Sequence, residues 1–212
     1  MTSAPIQRRG LWAGRVDALQ ALTGFCLALF VLLHFSVVST VLISPDLMTR
    51  LEHFFESIWL TQIGLPGLFV VILLHFLLAA RKMPFRAREL SLFLQQAKML
   101  RHVGTWIWLV QVATAIIILA LFSIHLYEVQ MSLPIKLGDT TARVARAGAS
   151  CFYVLLLLAT LSHALLGIFR VGVKYGWINR GTRRTAVRIL WGIGAGYTVI
   201  SLSALARLHS LA

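Results

Sequence analysis

The sequence predicts an all-α membrane protein built as a bundle of five transmembrane helices. Hydrophobic residues make up 58% of the 212-residue chain and charged residues 13%, about half the charged share of a typical soluble domain. Each of five apolar segments is long enough to cross a bilayer, which takes about 20 helical residues. Helices are expected because unpaired backbone groups are costly in hydrocarbon and five short-looped segments cannot close a barrel. The segments cover residues 19–43, 58–80, 103–127, 148–169 and 187–206.

The connecting loops are too short for a soluble domain, so residues 1–212 are expected to form one transmembrane domain. The basic residues before the first apolar segment resemble a signal peptide. That segment is about 25 residues long and lacks a small-residue cleavage site, which favours a retained helix.

The net charge of +13 would suggest an acidic or nucleic-acid partner in a soluble protein. With alternating spans, however, the N-terminal side of the membrane receives 15 Lys and Arg against Asp17 and Glu89, and the other side receives five of each sign. The positive-inside rule then predicts a cytoplasmic N-terminus and an outer C-terminus. Topology alone explains this asymmetry, and a second interpretation adds that the basic loops bind a peripheral subunit or anionic headgroups of the lipid bilayer. No nucleic-acid partner is expected.

One histidine lies in each of the first four spans: His34, His75, His125 and His163. Ionisable residues within a membrane are costly and indicate function. At a rise of about 1.5 Å per residue, His75 and His163 each lie about 10 Å from the cytoplasmic ends of their helices. His34 and His125 lie about 28–36 Å above the basic residues at the starts of their helices. The histidines therefore form two pairs at matched depths.

Two histidines at one depth on different helices suit axial ligation of a haem iron from both faces. Two such pairs predict two haems stacked across the membrane. One alternative is four core histidines that are hydrogen-bonded across the bundle. Another is a metal-transport path, which would normally include intramembrane carboxylates.

Over nearly its whole length the chain resembles the dihaem cytochrome b subunits of menaquinone-linked succinate dehydrogenases and fumarate reductases. Members of that family typically have five spans, of which four carry one haem ligand each and the fifth carries none. Residues 15–24 (RVDALQALTG) are similar to the family's R-x-D-x-x-Q-x-x-T-G pattern. The intervals of 41, 50 and 38 residues between the four histidines look more like the fumarate reductase branch.

The resemblance implies that His34 and His125 ligate an outer haem b, and that His75 and His163 ligate an inner one. Three further residues match family positions that bind the propionates of the inner haem: Gln20, Trp108 and Lys174. A cytoplasmic lysine can neutralise a carboxylate, although Lys174 is also explained as a positive-inside lysine. Arg143 and Arg146 are candidates for the same role at the outer haem.

Oxidation of a quinol releases two protons with two electrons and therefore needs a proton acceptor. Glu56 lies just before the second span, where related fumarate reductases carry a glutamate near the menaquinol site. A partly desolvated carboxylate there would suit general-base catalysis. Alternatively, Glu52 and Glu56 form a solvated i, i+4 pair in an outer loop. Some relatives also carry a glutamate two residues before the fourth ligand, where this chain has Leu161.

The resemblance implies the membrane anchor of a quinol:fumarate reductase in a bacterial inner membrane. Menaquinol would be oxidised near the outer face. Electrons would cross both haems to an iron–sulfur subunit and a flavoprotein subunit docked on the cytoplasmic loops, with fumarate reduced outside this chain. Succinate oxidation by the same subunits is an alternative. A second alternative is the cytochrome b anchor of a hydrogenase or formate dehydrogenase, although those cytochromes tend to carry two haem ligands on one helix. The non-redox alternative is a haem-free transporter or structural membrane protein.

Overall fold

The computed structural model describes residues 4–83 and 86–212, and side chains from residue 11 onward except those of residues 84, 85 and 87. Arg8 and Arg9, which the charge count includes, have side chains outside this description. Within the described ranges the chain has eight α-helices and no β-strand. They are α1 (Ala4–Val38), α2 (Pro45–Ser57), α3 (Leu60–Ala80), α4 (Ala87–Leu100), α5 (Val103–Met131), α6 (Leu137–Val144), α7 (Ala149–Lys174) and α8 (Arg183–Ser210), and a 3-10 turn (Ser39–Leu42) follows α1.

Five of the helices are long and apolar enough to cross a membrane, which confirms the predicted fold class. The candidate spans are Leu11–Leu42, Leu60–Ala80, Val103–Met131, Ala149–Lys174 and Arg183–Ser210. Four of the five are longer than the predicted apolar segments, since a helix continues past the hydrocarbon core into the headgroup region. The chain is a multi-pass membrane protein.

Three short helices, α2, α4 and α6, occupy segments that the sequence analysis treated as loops. Helix α2 begins at Pro45, and the Ser44 hydroxyl caps it by accepting a hydrogen bond from the Asp46 N–H at 3.1 Å. Both residue types are favoured at a helix start. Helix α4 places Phe93 against Trp108 of α5, with ring centroids 4.3 Å apart.

The start of α1 meets the ends of α3 and α7 at what we call the basic end of the bundle. Asp17 of α1 accepts hydrogen bonds from Lys82 and Lys174 at 2.7 Å each, and it also pairs with Arg81. One carboxylate thus joins three helices and gathers three cations.

Helices α2 and α6 cover the other end, which we call the capped end. A hydrophobic core lies there, formed by the 3-10 turn with α2, α6 and α8. Its buried residues are Val41, Met48, Val144, Ala204 and Leu208.

Only some of the long helices pack closely against one another. Helix α1 packs against α3, and α5 packs against α7, which also contacts α1 and α8. Over the described residues, α1 and α5 do not pack closely against each other, and neither do α3 and α7. The two helix pairs that carry the predicted histidine pairs are among the pairs without close contact.

Candidate cofactor site

His34 of α1 and His125 of α5 face each other near the capped end. Their ring centroids lie 6.3 Å apart and their planes are inclined by 64°. An imidazole nitrogen lies about 2 Å from a bound first-row metal ion and the ring centre about 1 Å farther, so two axial rings have centroids roughly 6 Å apart. The spacing of this capped-end pair therefore fits one metal ion between the two rings.

Aromatic side chains surround the capped-end pair. Phe30 stacks on His34 with centroids 5.8 Å apart, and Tyr153 of α7 meets His125 edge-on at the same distance. Nδ1 of His125 is buried and has no hydrogen-bond partner within the described chain. These apolar walls suit a flat, largely apolar macrocycle and exclude water from it.

His75 of α3 and His163 of α7 lie toward the basic end. Each ring contacts a buried threonine of the adjacent helix. Nδ1 of His75 lies 3.0 Å from Oγ1 of Thr23, and Nδ1 of His163 lies 3.1 Å from Oγ1 of Thr114. His75 and His163 thus form the basic-end pair, at a level separate from that of His34 and His125.

The distance between the two levels follows from helix geometry. Thr23 precedes His34 by 11 residues on α1, and Thr114 precedes His125 by 11 residues on α5. At a rise of about 1.5 Å per residue, the levels are about 16 Å apart.

At each of the two levels, the side chains available as metal ligands are two histidines. Within residues 4–83 and 86–212, no group of three or more His, Cys, Asp or Glu side chains converges as a metal site would require. Axial ligation of a haem needs only two protein ligands because the macrocycle supplies the others. The arrangement therefore fits two bis-histidine haems better than two isolated metal ions.

The three residues predicted for the inner propionates lie in different surroundings. Gln20 is half-buried three residues before Thr23, and its Oε1 has no hydrogen-bond partner in the described structure. Lys174 is exposed and bound to Asp17. The described aromatic contact of Trp108 is with Phe93. The structure thus brings Lys174 into the cation cluster at the basic end, where an anionic group would be stabilised.

Sequence analysis missed Gln111 on α5. Its Nε2 donates a hydrogen bond to the His163 carbonyl at 3.1 Å, and its Oε1 is buried without a partner in the described residues. Gln111 precedes Thr114 by three residues, as Gln20 precedes Thr23. The repeated Q-x-x-T spacing is the sequence feature from which Gln111 could have been predicted.

Arg143 of α6 is buried, with 8% of its surface exposed. Its guanidinium donates to the Ser132 hydroxyl, to the Thr140 hydroxyl at 3.1 Å and to the Glu128 carbonyl at 3.4 Å. Among the described residues it forms no ion pair. Because a buried charge normally requires a counter-ion, Arg143 is suited to an anionic ligand.

Arg146 is already paired, since it donates to the Glu128 carboxylate at 2.8 Å and is exposed. Together with Arg143 and Tyr153 it lines an open cavity of about 300 Å³. The ring of Tyr153 also meets that of His125 edge-on, with centroids 5.8 Å apart. The space therefore adjoins the capped-end pair.

Glu56 at the end of α2 is half-buried, and both carboxylate oxygens accept hydrogen bonds. The Gln62 amide donates to Oε2, and the Ile135 N–H donates to Oε1 at 3.2 Å. Glu56 thereby connects α2 to α3 and to the segment before α6.

Glu52, one turn earlier on α2, has a different environment. It is 9% exposed, and its Oε1 has no partner in the described chain. Burial raises the pKa of Glu52 to about 7; the Leu137 backbone and the Arg143 charge oppose this rise, and Asp139 adds to it. The solvated-pair alternative is therefore wrong for Glu52, because α6 covers it.

Comparison with known proteins decides the family. A family model described as the succinate dehydrogenase/fumarate reductase transmembrane subunit matches residues 86–200, more than half of the chain. The chain belongs to this family. The matched part of this transmembrane subunit includes His125 and His163, and the resemblance drawn from the four histidines and residues 15–24 is confirmed.

Two relatives extend the similarity to the first half of this family member. A Helicobacter pylori protein named fumarate reductase cytochrome b subunit is 29% identical over 210 residues, covering 94% of this chain and 82% of the relative. A Wolinella succinogenes protein of the same name is 29% identical over 188 residues, covering 84% of this chain and 73% of the relative. Membership of this family separates the chain from hydrogenase and formate dehydrogenase anchors and from transporters.

Proposed function

We propose that this chain is the membrane-anchor cytochrome b subunit of a quinol:fumarate reductase, folded as one transmembrane domain that binds two haems b. The 6.3 Å separation of the His34 and His125 rings is the observation that carries the proposal. Their helices do not pack closely against each other within the described residues, as a macrocycle held between them would require. When bound, the haems would relay single electrons between the two levels.

The chain's own contribution is to hold the haems and set their surroundings. His34 and His125 would ligate the capped-end haem, and His75 and His163 would ligate the basic-end haem. Arg143 offers a buried cation to a propionate of the capped-end haem. At the basic end, Gln20 and Lys174 serve the propionates, with Trp108 packed beside α4.

Menaquinol is the proposed substrate, with its site on the capped end. Glu56 accepts a proton from a quinol hydroxyl, acting as general base. Its two hydrogen bonds, from Gln62 and the Ile135 N–H, hold the carboxylate in a fixed position. The fumarate site lies on another subunit.

The basic end is proposed to face the cytoplasm of a bacterial cell, with the protein in the inner membrane. Positive residues favour that side, and the structure gathers Arg81, Lys82 and Lys174 there. This surface is proposed to bind the iron–sulfur subunit, which in turn carries the flavoprotein.

A reduced-minus-oxidised absorption spectrum of the purified complex tests the proposal. We expect b-type bands with two haems per chain, and each of the variants His34→Ala and His75→Ala should lose one haem. His53→Ala is the matched control because His53 is exposed on α2. Absence of a b-type band, or bands unchanged in both core variants, would overturn the dihaem function.

A further inference from the structure

Helices α1 and α5 carry the same set of polar residues at the same spacing. In both, a glutamine is followed by a threonine after three residues and by a histidine after eleven more. The two sets are Gln20, Thr23, His34 and Gln111, Thr114, His125. In each set the threonine contacts the basic-end histidine of the neighbouring helix, so the repeat is also a repeat of contacts.

The hydroxyl of Thr23 has one proton to donate, and that proton is already committed. Oγ1 of Thr23 donates to the Leu19 carbonyl at 3.0 Å and to the Gln20 carbonyl at 3.1 Å. Because that proton is shared between two carbonyls, the contact of 3.0 Å with Nδ1 of His75 fits a threonine that accepts. In that tautomer Nδ1 of His75 carries the hydrogen, and Nε2 keeps its lone pair.

Thr114 repeats this arrangement. Its hydroxyl donates to the Val110 carbonyl at 2.8 Å and to the Gln111 carbonyl at 3.1 Å. Nδ1 of His163 also lies 3.1 Å from the Gln111 carbonyl oxygen. Because a carbonyl oxygen can only accept, this contact independently requires a hydrogen on Nδ1.

We propose that Thr23 and Thr114 are matched positioning residues, which hold both basic-end histidines with Nδ1 protonated and Nε2 directed to the haem iron. This inference rests on the proposed dihaem function. The capped-end pair differs, since Nδ1 of His125 has no partner within the described chain. The two haems would therefore have axial ligands with different hydrogen bonding.

An acceptor on the second ring nitrogen fixes the orientation of a metal-bound histidine and raises its basicity. A more basic ligand favours the oxidised, more positive iron. Removing the threonine hydroxyl should therefore raise the midpoint potential of the basic-end haem. The potential of the capped-end haem should stay unchanged.

The test compares Thr23→Val and Thr114→Val with Thr23→Ser and Thr114→Ser in the purified complex. Valine keeps the side-chain shape and removes the hydroxyl acceptor, which at His163 leaves the Gln111 carbonyl as the remaining acceptor. Serine restores the hydroxyl. Thr198→Val is the matched control, because Oγ1 of Thr198 donates to the Gly194 carbonyl at 2.7 Å on a span without a predicted ligand. Optical redox titration gives both midpoint potentials, and the His75→Ala spectrum identifies the basic-end haem.

We expect each valine variant to raise the basic-end potential, or to release that haem, and each serine variant to restore the wild-type value. Unchanged potentials in both valine variants would overturn the positioning role while leaving the dihaem function intact. The positioning role would also be overturned if the serine variants changed the basic-end potential, or lost that haem, as much as the valine variants. A wild-type complex without haem would instead refute the proposed function.

Discussion

A Cβ atom built on Gly24 would lie 2.8 Å from Cε1 of His75 and 3.4 Å from its Nδ1. Carbon atoms do not normally approach that closely, so the absence of a side chain at Gly24 allows the ring its position. The neighbouring Thr23 contacts the same ring. Helix α1 therefore supplies both the space for His75 and its hydrogen-bond acceptor.

The variant Gly24→Ala should displace the His75 ring and lower the occupancy of the basic-end haem. Alanine has a higher helix propensity than glycine by about 1 kcal/mol. A loss of haem in this variant would therefore not be caused by a weaker helix. Gly14→Ala is the control, since no side chain among the described residues lies within 4 Å of a Cβ at Gly14. Haem content per chain, measured on both purified variants, should fall only in Gly24→Ala, and an equal content would contradict the role of this contact.

Arg143→Gln should lower the midpoint potential of the capped-end haem. A buried cation stabilises the reduced iron, which carries one positive charge less, and its field is poorly screened. Arg146→Gln removes an exposed arginine that is paired with Glu128, so it should cause a much smaller shift. Redox titration measures both variants, and equal shifts would show that burial of Arg143 does not matter.

Glu52 should make the protein less stable as the pH rises from 4.5 to 7. Burial raises the pKa of this carboxyl from 4.5 to about 7. The folded state therefore binds more protons than the unfolded state in that window, and the free energy of unfolding falls with rising pH. Above pH 7, Glu52→Gln should be more stable than wild type by at most roughly 3 kcal/mol. Below pH 4.5 the wild type and Glu52→Gln should have similar free energies of unfolding.

Thermal unfolding of the detergent-purified protein at several pH values checks this prediction. Glu89→Gln serves as the control because Glu89 is exposed on α4, and it should leave the pH profile unchanged. A Glu52→Gln profile that runs parallel to that of the wild type would show that this carboxyl does not titrate in the window.

Asp17→Asn should destabilise the basic end by on the order of 1 kcal/mol, since partly exposed ion pairs are individually weak. Three cations, Arg81, Lys82 and Lys174, would then repel one another without a counter-charge. Glu128→Gln, which removes a carboxylate with one ion-pair partner among the described residues, should cost less. The thermal midpoints of the two variants should converge at high salt because screening weakens both interactions. A difference that is independent of salt would point to packing instead.

The two histidine levels could be predicted because helical rise is fixed and the spans are easily recognised. His34 and His125 come from segments 91 residues apart, yet counting from the basic residues at the helix starts assigned them to one depth. What the count cannot tell is which helices are neighbours. The contacts of Thr23 and Thr114 depend on that adjacency and became visible only in the structure.

The environment of Glu52 could not be predicted either. Its burial depends on α6, a helix of eight residues within a segment that carries polar and charged residues and therefore resembles a loop. Spacing alone made Glu52 and Glu56 equivalent members of an i, i+4 pair. Their different surroundings arise from packing between segments that are distant in sequence.

On α1 and α5, eleven residues separate the threonine at one level from the histidine at the other. This number of residues should be more strictly required than the identity of the residues in between. A single inserted residue between Thr23 and His34 would turn everything beyond it by about 100° around the helix axis. His34 would then point away from His125 even though every side chain of the site was still present. Substitutions should therefore be tolerated between the levels, and insertions or deletions should accumulate in the connections between helices instead.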